Sequence, residues 1–245
     1  MLAGVLGPLI GFAIVSPIIQ FVLADRAGKP GGMGLKSATA LAASNGLARV
    51  VTDSAAYSGV IVVVVFATGF ATEFGWGTLR NLLVRQPNRA SLLTGKFLGL
   101  VDFLFAGIVL ATIAGVITSI VMGRIENIPT DSWFTSAGTS ALVSSTTNLM
   151  LSAIGWASLG LLAAILFRAP GPAVGVVLAF FPIELLVNGW WEEGTRWLPG
   201  QIFAAVAAGG TIDTNFDRAL ALTLGYSLVA ISIATFLFVR NDVTS

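Results

Sequence analysis

The sequence contains no cysteine and no histidine. Without cysteine, the chain has no disulfide, no thiolate nucleophile and no zinc–thiolate site. Without histidine, it lacks the commonest general base and metal ligand, together with every Ser–His or Cys–His catalytic arrangement. We therefore predict that the chain is not an enzyme and that it binds no metal or cofactor of its own.

Charge is also scarce. Only 10% of the 245 residues are charged and 56% are hydrophobic, and the mean hydropathy is +0.90. Soluble domains carry about 25% charged residues, and lipid is the solvent that accepts so many apolar side chains. The net charge of +1 gives no reason to expect nucleic acid as a partner. The composition predicts an integral membrane protein that forms a single domain over residues 1–245, surrounded by membrane lipid and without a cleavable signal peptide.

Six apolar stretches approach the length of about 20 residues that a transmembrane helix needs. They lie at about 2–24, 50–72, 97–122, 149–167, 173–187 and 220–239. The predicted fold class is therefore all-α with six transmembrane helices. A Ser/Thr-rich polar connection is predicted at 123–148. The apolar run at 201–208 is too short to span and predicts a re-entrant or surface helix between the fifth and sixth spans. The tryptophans Trp133, Trp190, Trp191 and Trp197 are predicted to be interfacial anchors.

An even number of spans places both termini on one side of the membrane. The short loops on that side carry the denser set of basic residues, namely Arg80, Arg85, Arg89, Lys96, Arg168 and Arg240. Positive charge in short loops near span ends marks the cytoplasmic side. We therefore predict a multi-pass protein of the cell membrane with cytoplasmic N- and C-termini.

Residues 73–96 form the most charged connection. Leu79, Leu82 and Leu83 recur at helical spacing while Arg80 and Arg85 face elsewhere, and a proline at position 87 ends the pattern. This pattern predicts a basic amphipathic helix lying along the cytoplasmic surface. From the residues alone, a membrane-surface anchor and a docking element for a soluble partner are equally good interpretations.

The same segment resembles a known family. Glu73, the run Gly77-Thr78-Leu79-Arg80, then Pro87, Arg89 and Gly95-Lys96 look like the type-two permease family of ATP-binding cassette exporters. The closing run from Phe236 to Asp242 is also similar to the end of that family's sixth span. The resemblance implies that 73–96 is the coupling helix between the second and third spans, and that 197–210 is an external re-entrant hairpin. The residues it assigns to ATPase coupling are Glu73, Gly77, Thr78, Leu79, Arg80, Arg85 and Arg89.

The resemblance also implies a function and partners. The chain is expected to be the membrane-spanning subunit of an ATP-driven exporter, to form a homodimer with a second permease copy, and to dock one cytoplasmic ATPase subunit per copy. ATP and magnesium would bind to that partner. The run Leu93-Thr94-Gly95-Lys96 is not a phosphate-binding loop, because the motif requires glycine at position 90 and Ser or Thr at position 97, where the chain has alanine and phenylalanine.

Two acidic residues lie well inside predicted spans. A charged side chain at the centre of a membrane helix costs at least about 2.5 kcal/mol, so Asp102 and Glu184 each need a partner, water or a proton. Glu184, Asn188 one turn later, and Asp102 are the predicted candidates for the translocation pathway. The alternative for Asp102 is a structural pair with a basic residue such as Lys96, and for Glu184 it is packing between helices. Two other functions stay open: a proton-coupled secondary transporter that uses Asp102 and Glu184, and a non-transporting membrane scaffold.

Overall fold

The computed structural model describes residues 2–24, 38–75, 88–191, 194 and 196–240, and all regular structure in them is helical. The helices are α1 (Leu2–Val22), α2 (Ala38–Ala42), α3 (Gly46–Gly75), α4 (Arg89–Ile125), α5 (Ser136–Phe167), α6 (Pro170–Trp190), α7 (Pro199–Ala207) and α8 (Phe216–Arg240), with a 3-10 turn at Asp131–Phe134 before α5.

Each of the six predicted apolar stretches coincides with one of the long helices α1, α3, α4, α5, α6 and α8. Within the described ranges, α4, α5 and α8 are long and apolar enough to cross a membrane, and a fourth span results if Gly46–Asp53 and Ser58–Phe74 of α3 count as one. The stretches Gly7–Val22 and Pro170–Glu184 are apolar but shorter. The all-helical fold is confirmed and includes helices that could cross a membrane, while the arrangement of six spans stays a prediction.

The predicted polar connection at 123–148 is wrong over most of its second half, because α5 begins at Ser136 rather than near residue 149. The hydroxyls of this segment donate to carbonyls of their own helix. Thr146 Oγ1 lies 2.9 Å from Leu142 O, and Thr147 Oγ1 lies 2.9 Å from Val143 O. A hydroxyl satisfied in this way no longer competes with the helix for backbone groups, so a Ser/Thr-rich stretch remains helical.

The chain forms two compact units, and α3, α4 and α5 each contribute to both. The first unit comprises the described parts of Met1–Ser58, Phe105–Met150 and Ala207–Gly209, and the second those of Gly59–Leu104, Leu151–Val206 and Gly210–Ser245.

Trp133 lies at the centre of the first unit. Its side chain is 1% exposed, its indole N–H donates to the Leu41 carbonyl at 2.8 Å, and the Phe21 ring meets it edge-on at 6.1 Å. The predicted interfacial position of Trp133 is therefore wrong. The indole has found its hydrogen-bond acceptor at the end of α2 and can be buried without an unpaired donor.

Trp156 of α5 has the equivalent place in the second unit. It stacks on Phe181 of α6 at 5.0 Å and meets Phe203 of α7 edge-on at 5.0 Å. On α3, a Cβ at Gly59 would lie 2.6 Å from the indole nitrogen, so glycine is what allows this close approach. The short helix α7 is thus packed into the unit, with Phe203 and Ile202 fully buried. The helical run predicted at 201–208 is observed, while its re-entrant position in a membrane stays a prediction.

We expect Trp133→Phe to lower the free energy of unfolding by about 1–3 kcal/mol, because the Leu41 carbonyl loses its donor inside the core. The matched control is Trp190→Phe, at a side chain that is 92% exposed, which should change stability by less than about 0.5 kcal/mol. Thermal or denaturant unfolding of the purified chain measures both. Equal losses in the two variants would contradict the central role of Trp133.

Candidate functional site

An ion pair joins the two helices that flank the predicted coupling segment. Glu73 lies in the last turn of α3 and Lys96 near the start of α4, and Lys96 Nζ is 2.6 Å from Glu73 Oε2. The same ammonium donates to the Gly69 carbonyl at 2.8 Å and lies 4.4 Å from the centre of the Phe70 ring. A carboxylate, a carbonyl and an aromatic face therefore all meet one lysine charge. We call Glu73, Lys96, Gly69 and Phe70 the Lys96 cluster.

Aromatic contacts surround the Lys96 cluster within the second unit. Phe66 of α3 meets Phe97 of α4 edge-on at 5.6 Å. Phe74 of α3 meets Phe238 of α8 in the same way at 6.1 Å. These pairs tie the end of α3 to α4 and α8, and edge-to-face rings of this kind add about 0.5–1.5 kcal/mol each beyond the area they bury.

Arg89, the first residue of α4, reaches the end of α8. Its guanidinium donates to the Val239 carbonyl at 3.4 Å. The last carbonyls of a helix have no partner within the helix and carry the negative end of its dipole, so a cation there is favourable. Arg89 thus fixes the start of α4 against α8.

The structure describes only the two ends of the predicted coupling set. Glu73 and Arg89 are in place as described above. The other predicted coupling residues, Gly77, Thr78, Leu79, Arg80 and Arg85, lie outside the described residues. Lys96 was recognised as part of the motif, but its pairing with Glu73 was not predicted, because the two residues are 23 positions apart and no local pattern connects them.

The alternative in which Asp102 pairs with Lys96 is not observed, since Lys96 is bound to Glu73. Asp102 is exposed on α4, and no residue that the structure describes forms a hydrogen bond or an ion pair with it.

Glu184 of α6 binds the start of α7. Its side chain is 5% exposed, and Oε1 accepts the backbone N–H of Gly200 at 2.7 Å. Gly200 is the second residue of α7, where N–H groups lack an acceptor within the helix and the helix dipole is positive. A Cβ on Gly200 would collide with the Glu184 carboxylate, so the contact requires glycine. The side chain of Asn188, the other predicted pathway residue on α6, lies outside the described residues.

The hydrogen bond from Gly200 to Glu184 explains how α6 can carry a buried carboxylate. The charge is partly compensated by a helix start, so Glu184 anchors α7 to α6. Sequence reasoning found the acid but missed its partner; Pro199 is at the first position of α7, where proline is common, but this marks only a helix start and not its contact with Glu184. Among the residues that the structure describes, no group of three or more acidic side chains could hold a metal ion.

Comparison with known families gives one match. A family model described as "Protein of unknown function (DUF2705)" matches residues 13–244, which includes every predicted site residue. No curated protein matches the sequence significantly. The description assigns no activity, so function has to be argued from the two polar contacts and the motif between α3 and α4.

We expect Gly200→Ala to destabilise the chain by about 1–3 kcal/mol, because the added methyl group displaces the Glu184 carboxylate from a packed site. Gly225→Ala is the matched control, since nothing lies within 4 Å of that Cβ position in the middle of α8. Removing a glycine from an open helical position should stabilise by about 0.5–1 kcal/mol. Unfolding measurements in which Gly200→Ala is less stable and Gly225→Ala more stable than the original chain support the contact between Glu184 and Gly200. Equal losses of stability in the two variants would contradict it.

We expect the Lys96 cluster to show energetic coupling in a double-mutant cycle. Lys96→Met should cost about 1–3 kcal/mol because it removes the ammonium that donates to the half-buried Glu73 carboxylate, and Glu73→Gln should cost less because an amide oxygen still accepts. The double variant should lose less than the sum, with a coupling energy of about 0.5–3 kcal/mol. Strict additivity would show that the two side chains do not interact.

Proposed function

The chain belongs to the DUF2705 family, and we propose that it is the membrane-spanning subunit of an ATP-driven exporter. In this proposal the six long helices form a multi-pass permease of the cell membrane with both termini in the cytoplasm. Two copies enclose the translocation pathway. A separate ATP-binding cassette ATPase subunit docks on residues 73–96 of each copy and holds the ATP and magnesium.

The Lys96 cluster is the observation that carries this proposal. The permease-like pattern begins at Glu73 and ends at Gly95-Lys96, and these two end residues are in contact. The two helix ends that flank the segment are therefore joined to each other. A partner that moves this segment would move α3 and α4 together. An element that couples an ATPase to a permease has to do this.

Charge supports a docking role for the segment itself. Arg80 and Arg85 lie between the anchored ends. Arginine forms short, bidentate hydrogen bonds with carboxylates, and such bonds are roughly twice as strong as neutral ones. An ATPase groove that presents carboxylates would bind this helix and transmit its own closure to α3 and α4. Transport then requires two discrete packings of the helices, with nucleotide state biasing the balance between them.

The contact between Glu184 and Gly200 supports a gate at the opposite end of the proposed pathway. The external segment that contains α7 is held by one carboxylate and by packing on Trp156. A short helix held at its N-terminus can move as one piece when that hydrogen bond breaks. Glu184, Asn188 and Asp102 remain the proposed polar residues of the pathway.

We expect Arg80→Glu to weaken binding of the proposed ATPase subunit by tenfold or more, because a charge-assisted hydrogen bond becomes a repulsion. Arg124→Glu, in the last turn of α4, is the matched control and should bind the ATPase normally. Copurification from membranes followed by titration of the two purified subunits measures the effect. If both variants bind equally well, or if no ATPase copurifies, the proposal is wrong.

Lys96→Met separates docking from coupling. We expect this variant to bind the ATPase within about twofold of the original chain, since Lys96 is partly buried and bound to Glu73. ATP turnover should respond less to the permease, because α3 and α4 lose the ion pair that joins them next to the segment. Transport that continues without any ATPase, but stops in Glu184→Gln, would favour the proton-coupled carrier instead.

A further inference from the structure

A cavity of about 50 Å³ lies between four helices of the first unit. Each of the four helices contributes buried side chains to its wall, namely Leu9 of α1, Val50 and Val51 of α3, Ile108 of α4 and Leu149 of α5. Beside the cavity α1 and α4 approach closely, because a Cβ on Gly115 would lie 3.3 Å from the Ala13 carbonyl oxygen. The cavity is therefore a space within the packed unit and not the open face of one helix.

The wall of this cavity is apolar. None of the described residues that line it is charged, and only Ser58, Thr112 and Ser119 among them carry a hydroxyl. Ser119 Oγ already donates to the Gly115 carbonyl at 2.8 Å, within its own helix. A buried water needs about two to four polar partners, whereas an apolar cavity stays dry and takes an apolar guest. The wall therefore favours hydrocarbon over water or a polar headgroup.

The cavity opens mainly between α1 and α4, which contribute most of its partly exposed lining residues. These are Phe12 and Ala13 of α1 and Ala111, Thr112 and Val116 of α4. The neighbouring α4 residues Val109 and Ile113 are apolar and exposed, and α4 is long and apolar enough to cross a membrane. In a bilayer the opening therefore faces lipid chains and not water.

Position along the helices gives the depth of the cavity in such a bilayer. Phe12 is the middle residue of the 21 in α1, and Leu149 lies near the middle of the 32 in α5. The hydrocarbon core is about 30 Å thick, so the middle of a helix that crosses it lies about 15 Å from either surface. Acyl chains of both leaflets end at this depth, while phosphate and ester groups stay at the surfaces.

We propose that the cavity binds the methyl end of a phospholipid acyl chain, which enters between α1 and α4. Its volume limits the guest. An engineered apolar cavity of about 150 Å³ binds benzene, so a third of that volume accepts roughly two carbon atoms of a chain and no ring. The next carbons lie in the opening, against Ala111 and Thr112. This inference does not depend on the exporter proposal, because it requires only that α1, α4 and α5 lie across a membrane.

Photolabelling distinguishes a chain inside the cavity from lipid around the helices. The full-length chain is reconstituted in vesicles of phosphatidylcholine that include a phosphatidylcholine carrying an alkyl diazirine, either at the methyl end of one acyl chain or next to its carboxyl group. After illumination, adducts are located by mass spectrometry of peptides. Val50, Ile108 and Leu149 are 4%, 2% and 8% exposed, so the surrounding lipid does not reach them. Val62 and Val63 of α3 are as deeply buried but do not line the cavity, so they report labelling through local opening.

With the methyl-end probe we expect about fivefold more adducts on the three buried lining residues than with the carboxyl-end probe, and only background at Val62 and Val63. Ala111→Leu adds a larger side chain to the wall and should reduce these adducts by about fivefold. The matched control is Ala106→Leu, at an exposed position of the same helix, which should leave them within about twofold. Thr112→Val keeps the shape of the wall without the hydroxyl and should also label normally.

Equal adducts from the two probes, adducts that persist in Ala111→Leu, or equal labelling of Val62 and Val63 would each overturn the proposal. Loss of labelling in Thr112→Val would show that a hydrogen bond holds the guest, which a chain end cannot form, and would overturn it as well. An original chain without adducts on the buried lining residues would show that no lipid enters. Unfolding temperatures check that each variant is folded, and the comparison of the two probes in the original chain tests the proposal without any substitution.

Discussion

The contact of the Lys96 ammonium with Glu73 fixes where α3 and α4 meet, and the rest of the second unit is arranged around it. An ammonium in apolar surroundings is stable only when its donors are used. Lys96 uses them on a carboxylate 2.6 Å away and a carbonyl 2.8 Å away, and its charge faces the Phe70 ring. Helix ends that share such a point cannot separate without exposing a charge, so the Glu73 end of α3 stays next to the start of α4.

Other polar groups in the helices also need a hydrogen-bond partner, and they obtain it in different ways. Thr68 donates to Val64 O at 2.7 Å and Ser119 to Gly115 O at 2.8 Å, so these hydroxyls are satisfied within their own helices. Glu184 solves the problem differently, by accepting from the start of another helix. On α8, the buried hydroxyls of Thr223 and Ser227 have no hydrogen-bond partner among the described residues. They lie one turn apart, so the buried face of α8 retains hydrogen-bonding capacity.

Hydropathy located the long helices because an apolar run of span length has few structural alternatives to a helix. The described helices follow those runs closely. The errors lie where tertiary contacts override local pattern. The indole of Trp133 is buried because the Leu41 carbonyl is available 92 residues away, and the start of α5 is helical because its hydroxyls bond backward. Glu184 could be recognised as anomalous, but Gly200 could not be recognised as its partner. Residue spacing encodes neighbours on one helix, not neighbours across helices.

Packing in the second unit provides a physical route between its two polar contacts. Glu73 and Gly59 lie on the same helix, about 21 Å apart along its axis. At Gly59 the helix is so close to Trp156 that no Cβ fits, and Trp156 in turn contacts Phe181 on α6 and Phe203 on α7. Cores packed this tightly change between discrete arrangements rather than deforming gradually. A displacement of α3 at its Glu73 end must therefore either leave the Trp156 contact intact, as a tilt about that point, or repack the rings that hold α7. The second outcome is the one that the proposed exporter requires, because it makes the bond between Glu184 and Gly200 dependent on the position of the Glu73 end of α3.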